Sequence, residues 1–215
     1  MRETAWQDGL DLLATIAGLK PLCLIGRGFA DPAWNAALRS VAAAAALPVL
    51  EAAPWFPAAE PGFFPNWYLA AAARRRHAPV TYICGDEATR QRAAALSASG
   101  RVTAEEEAVL LGYPPCCVAQ HHRRALAVER LVIEMLARVA RGDLERMARL
   151  VEARVEPLPA TDEEWRRLAS LTAIRPSPGT SLNMCDLCAD DPASAAAAMS
   201  RHYARLAAAA GYTRA

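Results

Sequence analysis

Val80-Thr81-Tyr82-Ile83-Cys84-Gly85 is the stretch whose reading decides the fold. β-Branched and aromatic residues in an unbroken run, closed by glycine, read as a buried strand. Upstream, Pro21-Leu22-Cys23-Leu24-Ile25-Gly26 is a second short apolar run ending in glycine, and Pro48-Val49-Leu50-Glu51-Ala52 reads as a third strand. Between these runs lie helical segments. Asp31-Pro32 places an N-cap before proline at the first helical position and opens an alanine-rich helix to about Ala46. Asn66 to His77 is the next helix, and Trp6, Leu10, Leu13 and Ala17 give a lead-in helix ending at Gly18. Strand, helix, strand, helix, strand predicts a small α/β layer with parallel pairing.

Downstream the pattern turns helical. Thr103 with Glu106 and Thr161 with Glu164 are capping boxes. Leu131 to Arg141 keeps a helical period, and Asp191-Pro192 caps a last helix over about 193–210. A loop rich in proline, glycine and serine fills about 173–190. The expected class is α/β: a small N-terminal parallel α/β layer (1–100) followed by a mainly helical C-terminal part (101–215) that could share its core.

The chain has 215 residues, a net charge of +1, 53% hydrophobic residues and 7% aromatic ones. That suffices for one substantial core or two small ones and excludes a disordered or collagen-like chain. About 50 residues are alanine, and all but one of the 24 basic residues are arginine. Near-neutral charge argues against a duplex nucleic-acid binder. The first eight residues mix both charges, so no secretory leader is expected; the ten-residue apolar run Val41–Leu50 is too short for a membrane span of about 20 residues. A reducing cytoplasm is the expected compartment, where clustered cysteines read as metal-binding or catalytic rather than as disulfides.

Of six cysteines, Cys23 and Cys84 sit inside apolar strands and read as small core residues. The other four form two pairs, Cys116-Cys117 after Pro114-Pro115, and Cys185-Asp186-Leu187-Cys188. Pro114-Pro115 suits a first helical turn, whose exposed N–H groups and dipole favour thiolates. Four thiolates suit zinc or an iron–sulfur cluster. Neighbouring side chains on a helix diverge by about 100°, which predicts an iron–sulfur (4Fe-4S) cluster first, zinc as the alternative, and metal-free thiol–disulfide exchange as a third reading.

Gly112-Tyr113-Pro114-Pro115-Cys116-Cys117-Val118 resembles the signature of an uncharacterised prokaryotic family marked by Gly-Tyr-Pro-x-Cys-Cys, a resemblance that implies no activity. In ligand pattern alone, the tandem pair with a distant Cys-x-x-Cys is similar to the iron–sulfur type of epoxyqueuosine reductase. Cys185 to Cys188 lacks the further cysteine of a nitrile hydratase claw, since position 190 is Asp190.

His121 lies four residues after Cys117 and shares its helical face, which makes it a candidate further ligand, sulfur hydrogen-bond donor or proton handler. His122 is the alternative proton handler, and Arg124, seven after Cys117, a candidate counter-charge. A solvated helix face is the bland reading of all three. The expected function is an oxidoreductase or Lewis-acid enzyme served by a small-molecule substrate or electron-donor protein, with a zinc-stabilised, non-catalytic binding module as the alternative. Two further features carry less: a Gly26-Arg27-Gly28 turn that lacks the third glycine of a dinucleotide loop, and an aromatic cluster over Trp55, Phe56, Phe63, Phe64, Trp67 and Tyr68, read as a pocket wall or as bulk packed across the alanine-rich layer.

Overall fold

The computed structural model describes residues 3–25, 32–75, 77–153, 158–173 and 183–211. In chain order the elements are α1 (Glu3–Ile16), β1 (Leu22–Ile25), α2 (Pro32–Ala44), β2 (Val49–Ala52), β3 (Phe56–Pro57), α3 (Asn66–Arg74), β4 (Val80–Cys84) and α4 (Glu87–Ser99). They continue with β5 (Arg101–Val102), α5 (Ala104–Leu111), α6 (Pro115–Val139), α7 (Leu144–Ala153), α8 (Asp162–Thr172), α9 (Asp186–Ala189) and α10 (Ala195–Ala209). The chain forms two compact units, each assembled from separated segments. The first comprises 1–56, 79–121 and 174–215, and the second 57–78 and 122–173. The sheet therefore shares its unit with α5, the start of α6, α9 and α10.

In the first unit the strand order is β1-β4-β2, and β4 pairs antiparallel with both neighbours: Leu22 faces Cys84, and Val49 faces Ile83. This corrects the expected parallel pairing. β1 and β2 do run in the same direction, as a strand–helix–strand crossover requires, but β4 inserts between them in the opposite sense. The unbroken apolar run of β4 reports two covered faces, not strand direction. All five of its residues are buried. One face of the sheet, with Leu22, Tyr82 and Cys84, packs on Ala93, Val102 and Leu110; the other, with Cys23, Ile25 and Ile83, packs on Leu12, Leu38 and Ala42. Cys23 and Cys84 are fully buried core residues, as read from sequence, and burial pushes the Cys84 thiol up to about 11.

α1 is covered on more than one side. Leu12 meets the sheet core, while Leu10 and Ala14 pack with Tyr203 and Ala207 of α10. Asp11 of the same helix is itself buried.

The second unit packs Phe64, Tyr68 and Ala71 against Leu136, Ala140, Met147 and Val151. The Tyr68 hydroxyl donates to Glu129, and two ion pairs, Arg138–Glu164 at 2.7 Å and Arg167–Glu134 at 2.8 Å, join α8 to α6. The aromatic cluster divides between cores. Trp55 stacks on Tyr82 in the first unit, at 4.6 Å between ring centroids, whereas Phe64 and Tyr68 are buried in the second. They supply bulk that alanine does not.

Both capping boxes form as read, Thr103 with Glu106 and Thr161 with Glu164. The last helix starts later than expected because Ser194, not Asp191, is its N-cap; Asp191 Oδ1 accepts instead from the Ala193 N–H in the preceding turn. The Gly26–Gly28 turn, the Asp31 cap and most of the loop after Ala173 lie outside the described residues. Among the described residues, no helix is long and apolar enough to cross a membrane.

Candidate metal centre

The segment Gly112 to Cys117 turns the chain from α5 into α6, and each position has a local reason. Gly112 ends α5 at φ +68°, a left-handed conformation that glycine adopts without strain. A Cβ there would also stand 2.8 Å from Pro21 Cδ, so the close approach of two chain segments requires the missing side chain. Tyr113 sends its hydroxyl to Lys20, whose ammonium donates to it over 2.7 Å. The Pro114 carbonyl accepts from the N–H groups of Cys117 and Val118 and so starts α6, with Pro115 as its first residue, where a missing N–H costs nothing.

Cys116 and Cys117 thus occupy the opening turn of α6, and α9 brings the other pair. Cys185 is the N-cap of this one-turn helix and Cys188 lies within it; the Ala189 N–H closes the turn on the Cys185 carbonyl at 2.9 Å. The four Sγ atoms all lie within 4.8 Å of one another, with Cys116 and Cys188 at 3.5 Å. The tandem pair converges despite its adjacency. Cys117, Cys185 and Cys188 are buried against Ala196, Tyr113, Met184 and Met199, whereas Cys116 is exposed.

Outer contacts hold this geometry. The Cys185 backbone N–H donates to Cys117 Sγ at 3.4 Å, and the Ser194 hydroxyl donates to the Cys188 carbonyl at 3.0 Å. Gln120, one turn into α6, grips Asp186 twice: its amide N–H₂ donates to Oδ2 at 3.0 Å and its Oε1 accepts from the Asp186 N–H at 3.1 Å. Such partners orient ligands and tune their basicity. Burial pushes the Cys117 thiol well above its ordinary value and Cys188 up to about 11. At Cys185 burial acts the same way but is outweighed by hydrogen bonds from the Cys188 backbone and the neighbouring thiols, which leave it below its ordinary value. A dication bound by such a set displaces whatever thiol protons remain.

Beside the cysteines, in the same unit, lies a cavity of about 270 Å³ with Cys117 and His121 on its wall. Its floor carries Lys20 and Asp11, joined at 2.6 Å with side chains 3% and 7% exposed. Tyr113 lies under the ammonium, 4.5 Å from ring centroid to Nζ. Burial pushes Lys20 down, but the Asp11 carboxylate and then Tyr113 reverse this and hold its pKa well above the ordinary lysine value, so it stays an ammonium. Burial and the charge of Asp11 raise Asp8, also on the wall, to about 6. Glu107 lines the same space and accepts from Trp55 Nε1 at 3.0 Å.

The structure therefore gathers the four cysteines and places His121 at the cavity beside them. His122 is buried and belongs to the second unit. Arg124, also in that unit, donates to the Ala173 carbonyl at 2.9 Å, capping the C-terminal end of α8. Carbonyls at a helix end need such donors. Sequence reasoning missed Gln120, Asp8, Asp11, Glu107 and Lys20. One signal was present: Lys20 is the single lysine beside 23 arginines. Comparison with family models, with curated proteins and with solved structures finds no match for this chain.

Proposed function

We propose that this chain is a zinc protein in which Cys116, Cys117, Cys185 and Cys188 close around one metal ion and staple α9 and α10 to the first turn of α6. The observation that carries this reading is the mutual sulfur spacing, within 4.8 Å. A tetrahedral zinc with Zn–S bonds of about 2.3 Å needs sulfurs about 3.8 Å apart, within reach of small side-chain rotations here. A four-iron cube sets its outer thiolates roughly 6 Å apart and would require the two cysteine segments to separate. Four thiolates leave no open coordination position, so the metal contributes folding free energy and not Lewis-acid chemistry. Apart from Tyr203, the buried side chains of α10 are small (Ala196, Ser200 and Ala207), and a staple has most effect on such a helix.

An iron–sulfur cluster is the second reading. It is favoured by the tandem pair at a helix start and by the exposure of Cys116. Anaerobic purification with metal and sulfide analysis separates the two. Colourless protein with one zinc per chain, which on exchange with cobalt(II) gives the intense visible bands of a tetrahedral thiolate site, is the expected result. Brown protein with iron and sulfide in equal amounts overturns it.

A further inference from the structure

We infer that the cavity beside the cysteine centre binds a small uncharged molecule presenting a carbonyl oxygen together with N–H donors, that is, a cyclic amide or urea. The starting point is Lys20. Its ammonium carries three N–H donors. Two go to Asp11 Oδ2 at 2.6 Å and to the Tyr113 hydroxyl at 2.7 Å, and among the described residues the third meets no acceptor. The side chain is 3% exposed and lines the cavity. A buried donor left without an acceptor is costly, and a buried ion pair is seldom kept for stability, so this third N–H asks for an oxygen from an occupant.

Charge then selects the kind of oxygen. Asp8, Asp11 and Glu107 line the same space against the one ammonium, so a carboxylate or phosphate enters against three carboxyl groups. A protonated amine offers the third N–H of Lys20 no acceptor. A neutral carbonyl avoids both, and N–H groups on the same molecule match the Asp8 carboxylate, which is ionised above about pH 6. Leu24, Leu111 and Val118 offer apolar walls for a ring. At about 270 Å³ the space lies at the small end of ligand pockets and suits one ring with few substituents. The inference does not depend on which metal the cysteines hold.

The test uses the full chain as purified with its metal, titrated with uracil and with ethyleneurea, and in parallel with succinate and putrescine, while methyl NMR follows Leu24, Leu111 and Val118. One or both neutral probes are expected to shift these methyls saturably, more tightly than either charged probe. Asp8→Ala, which removes a half-buried carboxylate without opening the core, is expected to weaken that binding at least tenfold. Methyls unmoved by both neutral probes, tighter binding of succinate or putrescine, or unchanged affinity in Asp8→Ala overturns the inference.

Discussion

Gln120 holds Asp186 at both ends, through the side-chain carboxylate and the backbone N–H, and so ties α6 to the Cys-x-x-Cys turn 66 residues away in sequence. Outer contacts of this kind typically change metal affinity by about 10–100-fold. Gln120→Ala is therefore expected to keep one metal per chain but to release it at least tenfold more readily in a chelator competition. Loss at the wild-type rate would show that the cysteine segments are held by other contacts.

Gly112 and Gly100 both end helices at φ +68°, yet only Gly112 stands against another segment: an alanine Cβ would meet Pro21 Cδ at 2.8 Å there and nothing within 4 Å at Gly100. The backbone penalty for alanine in the left-handed region is shared, about 1–2 kcal/mol. Gly112→Ala is expected to cost about 1–3 kcal/mol more than Gly100→Ala because of the overpacked contact, measured by urea denaturation of the two variants side by side. Equal losses would mean that Pro21 yields freely.

Asp8 makes the fold less stable as pH rises. Its carboxyl is raised from 3.8 to about 6 by burial and by Asp11, so between those values the folded chain binds more protons than the unfolded one. Stability contributed by this group then falls as pH climbs through the window, and the deficit is complete above about pH 7. Asp8→Asn should gain up to about 2 kcal/mol at pH 7.5, after allowance for solvent screening at a half-buried position, with the gain shrinking toward pH 4. Denaturation curves across that range check it, and a gain independent of pH would refute the assignment.

Lys20 and Asp11 form a buried ion pair at 2.6 Å. Removing one partner of a buried ion pair strands the other, at a typical cost of about 3–5 kcal/mol, whereas replacing both with apolar side chains is often neutral. Lys20→Met alone is expected to show that loss, and Lys20→Met with Asp11→Leu to recover most of it. Thermal unfolding of the three variants measures the coupling. Because the Lys20 pKa is raised above its ordinary value, the pair's contribution stays flat through neutral pH and is lost only as pH rises through the raised value.

Features governed by residues three or four apart were legible without a structure. The Thr103–Glu106 and Thr161–Glu164 boxes depend on one helical turn, and the buried character of Val80–Cys84 on its own side chains. The two cysteine pairs were visible for the same reason, since two or four residues carry each one.

What lay beyond the sequence was set by contacts between distant segments. A crossover from β1 to β2 is satisfied whether the two strands touch or admit a third between them, and only packing decides that β4 enters, antiparallel. Helical geometry predicts that adjacent cysteines diverge, yet at the first turn of α6 the arriving Cys185 and Cys188 bring all four sulfurs within 4.8 Å, close enough that the four could hold one metal ion. Asp11 and Lys20 meet Tyr113 from about a hundred residues away, a pairing that no local pattern in the sequence marks. The chain by itself determined which atoms were available; the tertiary structure decided their distances, and coordination and hydrogen bonding depend on distance within a few tenths of an ångström.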